Sequence, residues 1–232
     1  MERVLVIAAH PDDEVLGMGG TIAKYATRGY EVAVLIVTDG STSQYRNDPK
    51  LQEILRAKQA ETTSCAAVLG IKHVFCGELP DMKLDVIPHI EINRVIEDAI
   101  KVFRPSIVFT HFNGDVNKDH RMVYESTLVA CRPVSEQCVK RIFLYSVPSS
   151  TEWNVQTATN AFLPNWYEDI AGEYAEKKYR AMECYKTELR EYPHPRSIQY
   201  LRTADAAEGN RVGLHAAESF ILLRFIEGDE LK

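Results

Sequence analysis

The sequence predicts an α/β domain built on a Rossmann-like, doubly wound, mostly parallel sheet of strand order 3-2-1-4-5 with a C-terminal extension. Two observations predict it. Short runs rich in β-branched residues alternate with helical patterns through the first 148 residues. The first, second and fourth of those runs are almost continuously apolar, as parallel strands are when helices cover both faces of the sheet. No repeat, low-complexity tract or linker divides the 232 residues. They read as one domain, with 1–148 as the core and 149–232 as an elaboration packed on it.

The strands are expected at Val4–Ala9, Glu31–Thr38, Lys72–Cys76, Ser106–Thr110 and Arg141–Val147. A short helix over Gly19–Arg28 stops before Gly29. Pro49–Leu69 places Leu51, Ile54, Leu55, Ala66 and Leu69 at helical spacing and stops at Gly70. Ile87–Phe103 ends before Pro105, and His120–Cys131 ends before Pro133. After Pro148 the alternation stops. Ser149–Thr159 reads as a polar loop, Trp166 and its neighbours as an added strand, and Gly172–Leu189 as an amphipathic helix. The prolines of Tyr192-Pro193-His194-Pro195-Arg196 forbid a helix interior. Ser197–Glu208 reads as a helix and Ala217–Ile226 as a final strand.

Composition removes several classes of function. Apolar residues make up 45% and charged residues 26%, with a net charge of −6. No basic block gives nucleic acid a footprint. No apolar stretch reaches the ~18 residues of a membrane span, and no signal peptide is expected ahead of the first strand. Cysteines 65, 76, 131, 138 and 184 are scattered without a CxxC pair. Reduced thiols and a cytoplasmic location are therefore expected, and Cys131 and Cys138 lack the second pair a cysteine metal site needs.

The chemistry concentrates in two clusters. His10-Pro11-Asp12-Asp13-Glu14 sets one imidazole and three carboxylates directly after a buried strand. So much negative charge at a core edge calls for a cation. The second cluster, Asp115-Val116-Asn117-Lys118-Asp119-His120, follows the fourth strand. In an open parallel sheet ligands bind beyond the carboxyl ends of the strands, where strand order reverses. With strands 1 and 4 adjacent, the two clusters face each other across one crevice. Two imidazoles and a carboxylate make a catalytic zinc set, although histidine and carboxylate also suit other divalent transition metals. Of two successive carboxylates, one can ligate while the other reaches a water molecule. His111 is either a further ligand or a strand-end residue beneath the site, whereas His73, His89 and His215 read as surface or packing residues. Asp81 either caps a loop or orients a site group, and Asp119 is placed to fix the neighbouring His120. Arg46 either contacts substrate or is solvated. Gly17-Met18-Gly19-Gly20 fails the dinucleotide pattern, since position 22 is Ile, and its glycines let a helix start close to the sheet.

Ala9-His10-Pro11-Asp12-Asp13-Glu14 resembles the opening motif of the LmbE/PIG-L family of zinc-dependent N-deacetylases. Thr38-Asp39-Gly40, Leu79-Pro80-Asp81, Asp115–Arg121 and Tyr192-Pro193-His194-Pro195-Arg196-Ser197 resemble later motifs of that family, so that the likeness spans residues 4–225. The resemblance implies Zn2+ held by His10, Asp13 and His120, with Asp12 as general base toward a metal-activated water. It implies removal of the acetyl group from an N-acetylglucosamine-type sugar or conjugate, and a homo-oligomer. The second motif departs from the His-Pro-Asp-His of some members, because Asn117 stands where the first histidine would. An amide donates a hydrogen bond but carries no charge. His194 is accordingly expected to assist catalysis beside Asn117. Competing readings are a zinc amidase acting on a non-sugar amide and a non-catalytic metal- or glycan-binding protein. The Trp153–Trp166 segment is read either as a self-association surface or as a lid.

Overall fold

The computed structural model describes residues 2–134 and 138–228. Strands β1 (Arg3–Ala8), β2 (Glu31–Thr38), β3 (His73–Leu79), β4 (Ile107–His111) and β5 (Arg141–Tyr145) are parallel neighbours in the expected order 3-2-1-4-5. Two C-terminal strands, β6 (Trp166–Asp169) and β7 (Ala217–Phe225), continue the sheet beyond β5 as β5-β7-β6, both pairings antiparallel. The alternation of β1 splits the core. Val4, Val6 and Ala8 pack on one face beneath α1 (Asp13–Thr27), α2 (Leu51–Leu69), α5 (Glu173–Met182) and α6 (Ile198–Asn210). Leu5, Ile7 and Ala9 pack on the other beneath α3 (His89–Phe103) and α4 (Lys118–Ala130). Ile170, Tyr179, Tyr185, Leu201 and Phe220 belong to the first of these clusters, so the C-terminal third shares the core. No helix among the described residues is long and apolar enough to cross a membrane.

Three boundaries differ from expectation by three residues or more. The first helix begins at Asp13, not Gly19, so the acidic motif supplies its first turn. Met18 departs from helical geometry at φ −156° and ψ 25°, and the second half of α1 restarts at the expected Gly19. The restart leaves backbone donors open inside the fold, and the Glu218 carboxylate of β7 accepts from Gly20 N–H and Thr21 N–H at 3.0 and 2.6 Å. A Cβ on Gly17 would meet the Tyr145 ring at 2.4 Å, which is why the kinked segment can lie on the sheet only without side chains there. Strand β3 runs on to Leu79, and α5 stops at Met182 rather than Leu189. The chain released beyond Met182 turns back through residues 183–197 toward the carboxyl ends of β1 and β2.

Candidate metal centre

The turn after β1 is pinned from both sides. The Ala9 carbonyl accepts from Thr38 N–H (3.0 Å) and Thr38 Oγ1 (2.8 Å) at the end of β2, and Ala9 N–H donates to His111 Nε2 (2.8 Å) at the end of β4. Asp12 then takes a positive φ of 114°, unusual for a side-chain-bearing residue. The conformation is held by its N–H donating to Glu14 Oε2 (3.1 Å) and its carbonyl accepting from Leu16 N–H (2.9 Å) in the first turn of α1. Glu14 is itself fixed by the buried Tyr185 hydroxyl, which donates to Oε1 at 2.7 Å.

This geometry turns three donor atoms toward one point. His10 Nδ1 lies 3.2 Å from His120 Nε2 and 3.3 Å from Asp13 Oδ2, and His120 Nε2 lies 3.3 Å from the same Asp13 oxygen. Ligands bound at ~2.0–2.1 Å to a tetrahedral zinc stand about 3.3 Å apart, so this triangle fits one face of such a site. The electrostatics agree. Burial works against a charged His120, but Asp13 and Asp115 outweigh it and push the imidazole up to about 9. Asp13 is buried too, yet the imidazoles of His120 and His10 hold its carboxyl well below the usual range. The pocket is organised around positive charge.

Further groups orient the imidazoles. His10 Nε2 faces Asp119 Oδ2 at 3.2 Å and Asp81 Oδ1 at 3.4 Å, and the other Asp119 oxygen accepts from Leu84 N–H. His120 Nδ1 meets Asp115 Oδ2 at 3.0 Å. Asp115 in turn accepts from Asn117 N–H (2.7 Å), Thr151 Oγ1 (2.7 Å) and the Ser150 hydroxyl, and its carboxyl sits at about 2; burial opposes this, but the His120 hydrogen bond prevails. Such partners fix ring orientation and tautomer in metal sites. Asp119 therefore steadies His10, not His120 as expected. Adjacent helical residues point in different directions, so Asp119 cannot follow the ring beside it.

Asp12 stands next to the triangle without joining it. It is buried, and its Oδ2 has no hydrogen-bond partner. Burial pushes its carboxyl up to about 7, with Arg196 pulling the other way from 3.3 Å. The Arg196 guanidinium is braced by Ser149 Oγ (2.9 Å) and by Glu188. His10, Asp12, Asp81, Asn117, Glu188 and Arg196 line one cleft of about 420 Å³, together with Ser43 and Gln44.

The remaining expected residues fall as follows. His111 is fully buried, with its ring stacked on His120 at 4.0 Å and its Nε2 engaged by Ala9, so it lies beneath the site. Asn117 caps α4, its Oδ1 accepting from Asp119 N–H, while its Nδ2 faces the Met82 sulfur. Arg46 is exposed on the segment that carries Ser43 and Gln44. His194 packs edge-on against Trp153 at 6.0 Å, and its Nδ1 accepts from Arg196 N–H. No described contact joins His194 to the metal-binding group or to Asp12; Arg196, two residues later, reaches Asp12 instead. Arg196, Glu188 and Asp115 are the site residues that sequence reasoning left without a role. Arg196 and Asp115 lay inside the quoted motifs; nothing in sequence marked Glu188.

Residues 5–131, more than half the chain, match the family described as PIG-L: GlcNAc-PI de-N-acetylase. The chain belongs to the PIG-L family. This PIG-L protein is 26% identical over 236 residues to the diacetylchitobiose deacetylase of Thermococcus kodakarensis, covering 98% of the chain and 84% of that relative. The N,N'-diacetylchitobiose deacetylase structure from Pyrococcus horikoshii shares its fold at a TM-score of 0.75 and 22% identity, covering 96% of this chain and 84% of that one. So does GalB, a 4-carboxy-2-hydroxymuconate hydratase from Pseudomonas putida, at 0.74 and 20% identity over the whole of both chains. At those identities the two structures speak to fold alone. The named deacetylases among its relatives make the PIG-L protein an amide hydrolase acting on N-acetyl groups.

Proposed function

We propose that this protein is a divalent-metal-dependent deacetylase, with zinc as the resident ion, that acts on the 2-acetamido group of an N-acetylglucosamine-type sugar or conjugate. One observation supports this reading above the rest: two imidazole nitrogens and a carboxylate oxygen converge with zinc-like spacing beside a buried carboxylate oxygen that accepts no hydrogen bond and faces only the Arg196 guanidinium. His10, Asp13 and His120 would hold the ion, whose Lewis acidity lowers the pKa of water and polarises a carbonyl.

The other steps belong to the chain. Asp12 takes a proton from the attacking water as the new C–O bond forms, and returns it to the amine nitrogen as the C–N bond breaks, releasing acetate. Burial raises its carboxyl to about 7 without a cation beside it and a bound cation lowers it from there, so Asp12 gains and loses a proton within reach of neutral pH. Arg196 favours the ionised form of Asp12 before the reaction and would supply the positive charge that Asn117 cannot. The Asn117 amide is placed to donate a hydrogen bond at the cleft wall, and Asp81 and Glu188 offer acceptors for sugar hydroxyls. The family description and the relative's name, each specifying an N-acetylated glucosamine unit, support the sugar preference.

The test is acetate and amine release from N,N'-diacetylchitobiose by the zinc-supplemented protein, beside an Asp12→Asn variant assayed for bound zinc. The reading expects turnover in the parent, and a loss of at least about 100-fold in the variant with zinc retained. Undiminished turnover in Asp12→Asn refutes the assigned base. Failure of the parent to cleave any N-acetyl sugar refutes the substrate class and returns the non-sugar amidase and the non-catalytic binding protein to the front.

A further inference from the structure

A second cavity, of about 520 Å³, opens beside the catalytic cleft, between α2 and the carboxyl ends of β2 and β3. That volume falls in the range of small-molecule sites. Its origin lies in the packing of α2. The second half of this helix seats Cys65, Ala66 and Leu69 against the core, but in the first half Lys58 alone is buried. The helix stands off the sheet there, and β3 keeps Val74 38% exposed and Cys76 exposed on the side facing the gap.

Two features connect this cavity to the reaction. Pro11, between the ligand His10 and the base Asp12, is a wall of both spaces. The partition is completed by Lys58, which lines the second cavity, donating to Glu188, which lines the first. A substrate seated at the metal-binding group reaches the second cavity by passing over this shared wall of Pro11 and the Lys58–Glu188 pair.

The lining chooses the occupant. Lys58 is the one cation among the described lining residues, and its Nζ is matched by Glu188, by Thr187 Oγ1 at 2.6 Å and by Glu61 at 4.0 Å. The rest of the lining combines two carboxylates, Asp39 and Glu78, the Gln59 amide and threonine hydroxyls with apolar surface from Pro11, Leu55 and Val74. A phosphate or carboxylate would meet like charge with no free counter-ion. A neutral ring with an apolar face and a rim of hydroxyls finds both surfaces it needs. We propose that this cavity is a second subsite, which takes the neutral sugar unit attached to the N-acetylglucosamine unit at the metal centre. The inference rests on the deacetylase reading and narrows its substrate to neutral oligosaccharides or glycosylated polyols.

The test fills the cavity from opposite walls, with Cys76→Trp on the strand and Thr63→Phe on the helix, neither of them part of the metal-binding group. The proposal expects kcat/KM for N,N'-diacetylchitobiose to fall at least about tenfold through KM, equivalent to ~1.4 kcal/mol, while turnover of N-acetylglucosamine itself is unchanged. Calorimetric titration of the metal-free protein with the disaccharide gives a readout independent of activity, and expects the same loss of affinity in either folded variant. A phosphorylated disaccharide should bind no more tightly than the neutral one. Equal effects on mono- and disaccharide, unaltered disaccharide binding in folded variants, or preference for the phosphorylated sugar overturns the subsite. If the parent cleaves no N-acetyl sugar, the deacetylase reading fails by itself, and the calorimetric arm still decides the subsite.

Discussion

The reacting centre is a contest over one carboxyl. Burial raises Asp12 and the Arg196 guanidinium lowers it, leaving it at about 7 without a cation beside it. As the proposed base, Asp12 works only when ionised, so activity is expected to rise with pH as its proton is lost. A bound cation favours the ionised form and moves this acid limb below 7, and loss of Arg196 moves it back up. Arg196→Met should therefore shift the acid limb of the kcat/KM profile to higher pH and reduce activity near neutrality at least about tenfold. His194→Ala should leave both within a few-fold, because His194 contacts Trp153 and the Arg196 backbone and not Asp12. A pH–rate series on the two variants checks this, and the reverse ranking would restore His194 as the assisting group. The two converging clusters were legible in sequence because they are dense in polar residues directly after apolar strands, and the family resemblance singled out His10, Asp13 and His120 within them. Arg196 was harder to assign, since its meeting with Asp12 joins positions 184 residues apart and no local pattern encodes that pairing.

At the level of elements, the kinked α1 explains both a success and a miss. Sequence placed a helix start at Gly19, and the second half of α1 does begin there. The turn before it, Asp13–Gly17, was hidden because its carboxylates and glycine look like loop residues until Glu14, Tyr185 and Tyr145 hold them in place. Likewise the apolar spacing through Tyr185 mimicked a helix to Leu189, but Tyr185 is buried from a turn in order to reach Glu14. The restart of α1 depends on Glu218, which accepts from Gly20 and Thr21 and pairs with the buried Lys178 at 2.9 Å; Lys178 also holds Asp205 at 2.7 Å. Glu218→Ala leaves two donors and part of a buried cation uncompensated. Such losses amount to about 3–5 kcal/mol. Urea unfolding should show a destabilisation of that size, with Glu218→Gln milder because its amide oxygen still accepts. A loss under 1 kcal/mol in Glu218→Ala would show that the restart of α1 stands without this cap.

For the molecule as a whole, topology creates the site. Strands β2 and β4 flank β1, so the two polar clusters, a hundred residues apart, emerge at one crevice. The parallel core was readable because doubly covered strands are continuous apolar runs. The two added strands were expected, but their β5-β7-β6 order was not, because β7 pairs antiparallel with both β5 and β6 from the far end of the chain and no local pattern encodes that pairing. The C-terminal third also carries the segment 183–197, which sets Arg196 against Asp12 and pairs it with Glu188. The central claim, a divalent cation clasped by His10, Asp13 and His120, is tested most directly by anomalous diffraction at the zinc edge from zinc-loaded crystals. The account predicts one zinc per chain bonded to both imidazoles and the Asp13 carboxylate at ~2.0–2.2 Å, with Asp12 unbonded to it. Zinc bound elsewhere, or no stoichiometric zinc with the three side chains facing one another as they do here, would contradict it.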